Sequence, residues 1–329
     1  MKKNNNYCGY YNEMPQNTTA QRLPLSITEE NAISLMEKHK YCDEMLAGLK
    51  SEDITVHFAA HKTEKICVAD WYTKIYDVAD PFLNLSPGDK QLYINWLIGY
   101  LNNGTTLPIL IIDGPEGSGK STLCEITQAI VNTDYIRNYF CREAQDITPV
   151  TLTGQETSSD MINTIKQREL TVYENVSALT TSQITGMLAA GCTPLSASPL
   201  EKHKAVILTT NSLAITDSDL LNHSIRLETL PLKKVRPKQD ILDDLGQKLP
   251  DIYKAIVALL ACICGYYIVY RILTTVPEDE PEKLKTLYDY VLLGHLIDNI
   301  IYKNNNFYPY FVSTQLQRTR KDIVSGPVS

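Results

Sequence analysis

The sequence predicts an α/β fold, a parallel three-layer sheet, with helices alone after residue 231. Three observations carry that prediction. The apolar run 107–113 reads as a buried strand and leads without a gap into Gly114-Pro-Glu-Gly-Ser-Gly-Lys-Ser121. Two further runs, Arg168-Glu-Leu-Thr-Val-Tyr-Glu-Asn175 and Lys204-Ala-Val-Ile-Leu-Thr-Thr-Asn211, carry apolar residues to a polar tip, as buried strands do. Helical periodicity fills the chain between them, and alternation of strand and helix makes a parallel sheet.

Taken in order, residues 1–22 are rich in Asn, Gln, Thr and Tyr without periodicity and read as a disordered tail. A region of helices and a hairpin is expected over 23–105. Ser26 or Thr28 caps a helix with acids in its first turn, running to Leu49. Residues 54–58 and 65–68 form the hairpin. His57 and His61 are four apart, but on a strand and with no third ligand near, so no metal site is expected. Ser86-Pro-Gly-Asp then starts a helix to Leu101 with Leu92, Ile94, Trp96, Leu97 and Leu101 along one stripe.

The core is expected over 106–231. Its loop has the pattern G-x-x-x-x-G-K-[ST] between a strand and a helix, 121–130. Glycines 114, 117 and 119 let successive N–H groups turn toward phosphate oxygens, and the helix start adds its positive end. Gly114, Pro115, Glu116, Gly117, Ser118, Gly119, Lys120, Ser121 and Thr122 are therefore the candidate nucleotide contacts. Lys120 should reach the β- and γ-phosphates of ATP, and the Ser121 hydroxyl should sit on Mg²⁺. Glu116 is tolerable there with its side chain in solvent.

Beyond the loop, 135–141 and 149–152 read as strands and Ser158 or Ser159 opens a short helix. Glu174 ends the next strand like a Walker B acid, holding Mg²⁺ through water, and Asn175 stands where a second acid is usual. Thr180 or Thr181 caps a helix ending at Gly191. Asn211 either orients the attacking water or caps the next turn. After 231 the pattern is helical, about 239–248, 250–272 with Pro250 at a first position, and 281–303, read as a C-terminal lid over 232–303. Residues 304–329 read as an Asn- and Tyr-rich tail.

Composition sets limits on partners and compartment. The 329 residues are 43% apolar and 21% charged, ordinary for a globular chain. A net charge of −7 leaves nucleic-acid contact to a local patch. Eight cysteines without a C-x-x-C favour reduced thiols in a cytoplasm. The N-terminus lacks an apolar h-region, so no signal peptide is expected. The uncharged run 255–270 is shorter than the about 20 residues a membrane span needs and contains Gly265 and tyrosines, so it reads as a core helix without stable membrane insertion.

The order of these motifs resembles superfamily 3 helicases, a P-loop NTPase, AAA+-like group serving viral, phage and mobile-element replication. It is closer still to phage and mobile-element ATP-binding proteins similar to the helicase half of primase–helicases. Phe82-Leu-Asn84, Tyr173-Glu174-Asn175, Asp219-Leu220 and Leu249-Pro250 fall where that group has like motifs, over residues 80–265. The resemblance implies a homo-oligomeric ring, single-stranded or forked DNA as partner and a primase alongside. It also implies a DNA-gripping Lys-His pair, matched by Lys202-His203. An arginine reaching a neighbour's γ-phosphate is usual after the Asp-Leu pair. His223 holds that place here, and Arg226 is the nearest arginine. Two other readings stand beside this one: a nucleoside or small-molecule kinase, and a non-hydrolysing nucleotide-dependent scaffold.

Overall fold

A computed structural model describes residues 22–57, 63–102, 107–133, 137, 148–191, 204–211, 217–232, 236–317 and 319. The N-terminal stretch 1–21, His61, the expected strand 135–141 apart from the helical Arg137, and Lys202 and His203 lie outside the described residues.

Helix α1 (Glu29–Ser51) is closed by Thr28, whose hydroxyl accepts the Asn31 amide at 3.2 Å. Ser26 is engaged elsewhere, in a bridge to Thr275. Strands β1 (Asp53–His57) and β2 (Thr63–Cys67) pair antiparallel, with Asp53 opposite Cys67. The second strand starts two residues before the expected position, and Val68 already opens α2 (Val68–Trp71). A short α3 (Ile75–Ala79) and a 3₁₀ turn, Asp80–Phe82, follow.

Helix α4 (Pro87–Leu101) begins with Ser86 Oγ accepting the Asp89 amide at 3.2 Å. The expected single apolar stripe is corrected: the helix is buried on every side, with only Pro87 and Lys90 partly exposed. Its side-chain N–H donors find acceptors inside. Asn95 donates to Tyr290 O at 2.9 Å, Trp96 Nε1 to Pro108 O at 2.9 Å, and Gln91 to the Asp298 carboxylate at 3.1 Å. The C-terminal helices cover the face that the sequence pattern alone would leave to water.

The sheet is built from β3 (Ile109–Asp113), β4 (Leu170–Tyr173), β5 (Ala205–Thr210) and β6 (Ser224–Glu228). All pairings are parallel, in the order β4-β5-β3-β6. Between them run α5 (Lys120–Val131), α6 (Ser158–Lys166), α7 (Thr181–Gly191) and α8 (Ser218–Asn222). Alternation along β3 divides its side chains between two apolar clusters. Ile109 and Ile111 join Met161, Ile165 and Met187 on one face. Leu110 and Ile112 join Trp96, Leu123 and Ile256 on the other. Residues 149–152 contribute only a bridge from Val150 to Tyr173, not a strand.

Past the sheet, two expected helices are one, α9 (Lys238–Leu273), which passes through Pro250. Leu245 before the proline and Ile252 and Tyr253 after it are buried in the same cluster, so packing holds both halves on one axis. By length and composition α9 could cross a membrane, with mean hydropathy 2.1 over its most apolar window. Its residues from Ile252 to Tyr267 are instead mostly buried within the protein, as a core helix. The expected helix 281–303 is interrupted. It comprises α10 (Glu282–Thr286), α11 (Tyr288–Leu296) and a π turn, Ile297–Ile301.

The stretch from 304, expected as a tail, is folded through α12 (Phe307–Phe311) and a second π turn, Val312–Leu316. Phe307 and Phe311 are buried against Tyr290, and the Asp298 carboxylate accepts the amides of Asn306 and Phe307 at 2.6 and 2.9 Å.

Candidate nucleotide-binding site

The loop leaves β3 at Asp113 and enters α5 at Lys120. Gly117 and Gly119 take φ of 73° and 89°, the left-handed region glycine occupies without penalty. Gly114, at φ 155°, is required for space: a Cβ there would come within 2.0 Å of Thr229 Oγ1. The amides of Gly117, Gly119, Lys120 and Ser121 have no backbone acceptor among the described residues, so they form a concave set of donors at the start of α5. That arrangement fits a phosphate chain. Lys120 is 6% exposed, and its Nζ donates to Gly114 O and Pro115 O at 2.7 and 2.8 Å. Burial pulls the Lys120 ammonium below its usual range, and the charges of Asp113 and Glu116 oppose that pull.

Two residues outside the motif fasten the loop. Asn84 donates from its side-chain amide to Ser118 O at 2.9 Å and to Leu230 O at 2.6 Å. Thr229 donates its amide to Asp113 O at 2.8 Å, and its hydroxyl lies 2.6 Å from Ser118 Oγ. The loop is thus held between the segment before α4 and the end of β6. The role of Thr229 carries no motif in the sequence. Asn84 was visible only as part of Phe82-Leu-Asn84.

The loop opens on a cavity of about 840 Å³. Gly117, Gly119, Lys120, Ser121 and Thr122 form one side. Asn175 and Asn211 line it as well, and Pro81, Phe82, Leu83, Leu232, Pro237 and Ile241 supply apolar surface. Arg236 and Lys238 also reach this wall, each holding an acid: Arg236 with Asp244, and Lys238 with Glu125 at 2.8 Å. Phosphate donors facing an apolar slot suit a nucleoside triphosphate.

The acid after β4 is differently placed from its neighbour. Asn175, not Glu174, lines the cavity. Asn175 takes φ 54°, a conformation asparagine tolerates, and its amide donates to Thr209 Oγ1 at 3.0 Å. Glu174 is half-buried, and its charge adds to the burial that raises the Cys124 thiol on α5. Because β5 lies between β3 and β4, Asn211 follows a strand that separates the loop from Glu174.

Arg226 and His223 are far apart in role. His223 caps the C-terminus of α8, its Nδ1 2.7 Å from Asp219 O, and its own carbonyl accepts the Ile109 amide. It therefore stands at the start of β3, the opposite end from the loop. Arg226 lies beside Ile111 and turns its guanidinium onto Asp113, with Nε 3.1 Å from Oδ2 and Nη2 completing the fork. Asp113 Oδ1 in turn accepts the Gly114 amide at 2.9 Å.

A strand, a glycine-rich phosphate loop and a helix on a parallel sheet define an α/β protein with the P-loop nucleotide-binding arrangement. No family model and no curated protein matches the chain. Among solved structures the chain is similar to the SCCmec type IV Cch active helicase, at 10% identity and TM-score 0.42 over 76% of this chain and 51% of that one. It is also similar to a protein described as a putative ATPase from Cytophaga hutchinsonii ATCC 33406, at 9% identity and TM-score 0.35 over 92% and 98% of the two chains. The chain thus spans about half the length of the Cch helicase.

Proposed function

We propose that this protein is an ATP-binding, slowly hydrolysing P-loop ATPase with a three-layer AAA+-like core, acting on DNA in the replication of a phage or mobile element. The observation that carries the reading is Lys120, buried among the loop carbonyls beside free amide donors and facing an apolar slot. In this reading the loop amides and Lys120 bind the triphosphate, and the apolar wall takes the base. Ser121 would hold Mg²⁺ with Glu174 acting through water, and the ion would supply charge neutralisation at the β- and γ-oxygens. Asn211 orients a water. The C-terminal helices act as a lid, supported by Pro237, Lys238 and Ile241 in the cavity wall. A homo-oligomeric ring is the assembly the motif order implies. Single-stranded or forked DNA, gripped through Lys202 and His203, and a primase are the partners the motif order implies.

A non-hydrolysing scaffold is the second reading, favoured by Asn175 at the cavity where an acid would activate water. Calorimetry tests what both share. Lys120→Ala should bind ATP roughly ten- to hundred-fold more weakly, because a charge-assisted contact is lost. Unchanged affinity in a folded variant would remove the loop from the site.

A further inference from the structure

Arg226 is half-buried and turned inward along its own sheet, which is not how a group offered to a neighbouring subunit is held. Its partner Asp113 is the last residue of β3 and the first acceptor of the loop, through the Gly114 amide. The Asp113 main-chain oxygen is bound by Thr229, which also holds Ser118. Two acids, Asp113 and Glu116, act on Lys120, and both favour its charged form against the effect of burial.

We infer that Arg226 is a positioning residue within its own subunit: it neutralises Asp113 and so leaves the Lys120 ammonium to the phosphates. The inference rests on the loop being a triphosphate site. Without the guanidinium, Asp113 is an uncompensated carboxylate under the loop. It draws Lys120 toward itself and repels an anionic ligand, and at a partly buried site that Coulombic effect is not fully screened. Arg226 therefore acts on ATP binding, through Asp113, and not on turnover in trans. The signature is charge compensation, because removing the acid as well removes the harm.

The test measures affinity for a fluorescent ATP analogue in the full chain. Arg226→Ala should weaken binding by on the order of ten-fold. Asp113→Asn, whose side-chain oxygen still accepts the Gly114 amide, gives the reference affinity against which the double variant is read. The double variant Asp113→Asn/Arg226→Ala should recover most of the affinity lost in Arg226→Ala. A purely architectural arginine would show no such rescue, since the double variant lacks both halves of the ion pair. Should Arg226→Ala fail to fold, Arg226→Gln alone and with Asp113→Asn makes the same comparison. Wild-type affinity in Arg226→Ala, or a double variant no better than the single, would overturn the inference. Lys120→Ala should lose binding in every background. A wild-type protein that binds no nucleoside triphosphate would instead overturn the reading of the loop itself.

Discussion

Gln315 closes on Arg226 as a short strand would: its Oε1 accepts the Arg226 amide and its Nε2 donates to the Arg226 carbonyl, both at 2.9 Å. β6 ends the sheet, and the outer N–H and C=O groups of an end strand need partners. A side-chain amide carries one donor and one acceptor in the same plane and can meet both. Gln315 is 1% exposed, so neither bond is replaced readily by water. It lies in the second π turn, which joins the C-terminal segment to the strand holding Arg226.

Gln315→Ala should leave a buried amide and carbonyl unpaired and cost about 1–3 kcal/mol of stability. Gln315→Glu should cost at least as much, since the donor is lost and a charge is buried. Urea denaturation measures both. A Gln315→Ala protein as stable as wild type would mean that this end of the sheet is closed by other groups.

Asn84 makes a second link, between the loop at Ser118 and the segment after β6 at Leu230. Asn84→Ala removes two donors and frees two carbonyls, loosening the loop's outer wall. ATP affinity should fall by roughly three- to ten-fold, with a stability loss of about 1–2 kcal/mol. Asn84→Asp keeps the shape but offers oxygen to oxygen, and it should be worse than alanine. Affinity equal to wild type in both would separate Phe82-Leu-Asn84 from nucleotide binding.

Local signals were legible where one residue type does one job. The loop glycines 114, 117 and 119, the caps Thr28 and Ser86, and the buried strands at 109–113, 170–173 and 205–210 follow from composition and pattern. Features made by distant contacts were not. The all-round burial of α4 depends on α11, the π turn after it and α12, nearly two hundred residues later, and its sequence holds polar groups whose partners lie in α11 and that turn. Pro250 reads as a boundary because the local rule is strong, yet packing on both sides overrides it. The Asn- and Tyr-rich segment after 304 reads as a tail, but its aromatics pack and its amides bind Asp298. At the site, the position of the loop between β3 and α5 was readable from its glycines. The fasteners Thr229, Asp113 and Gln315 were not, because single polar residues carry no spacing signal.

Acid should destabilise the fold through identified groups. Burial pulls His295 down from 6.5 to about 4, so the folded state resists its protonation more than the unfolded chain does. The stability this contributes is present above about 6.5 and is lost as pH falls toward 4. Glu156 is held at about 2, chiefly by the Thr153 amide, so its contribution is present above 4.5 and lost as pH falls through 2. Asp298 acts in the other sense, since burial raises its carboxyl, so the variant comparison is the decisive one. Thermal melts should show His295→Gln losing less stability than wild type between pH 6.5 and 4. Parallel curves would remove His295 as the cause.

The last prediction concerns turnover. A cationic fork supplied in trans can be worth roughly 10³–10⁵ in rate for P-loop enzymes, because it meets charge that develops during transfer. His223 stands at the far end of β3 from its own loop, and imidazole lacks the guanidinium's planar set of donors. Arg226 has the fork and spends it on Asp113. Asn175 and Asn211 face the cavity and can orient a water, but neither amide is a base. ATP turnover should therefore be slow and should change less than about three-fold in His223→Ala. Introducing the missing fork, His223→Arg, should speed turnover if copies assemble with this end of the sheet against a neighbour's loop, and the gain should depend on protein concentration. Steady-state phosphate release over a concentration series measures this. A brisk wild-type rate that collapses in His223→Ala while ATP affinity is kept would show imidazole doing the work assigned to a guanidinium. A brisk rate lost only in Arg226→Ala, again with affinity kept, would return that arginine to the trans role.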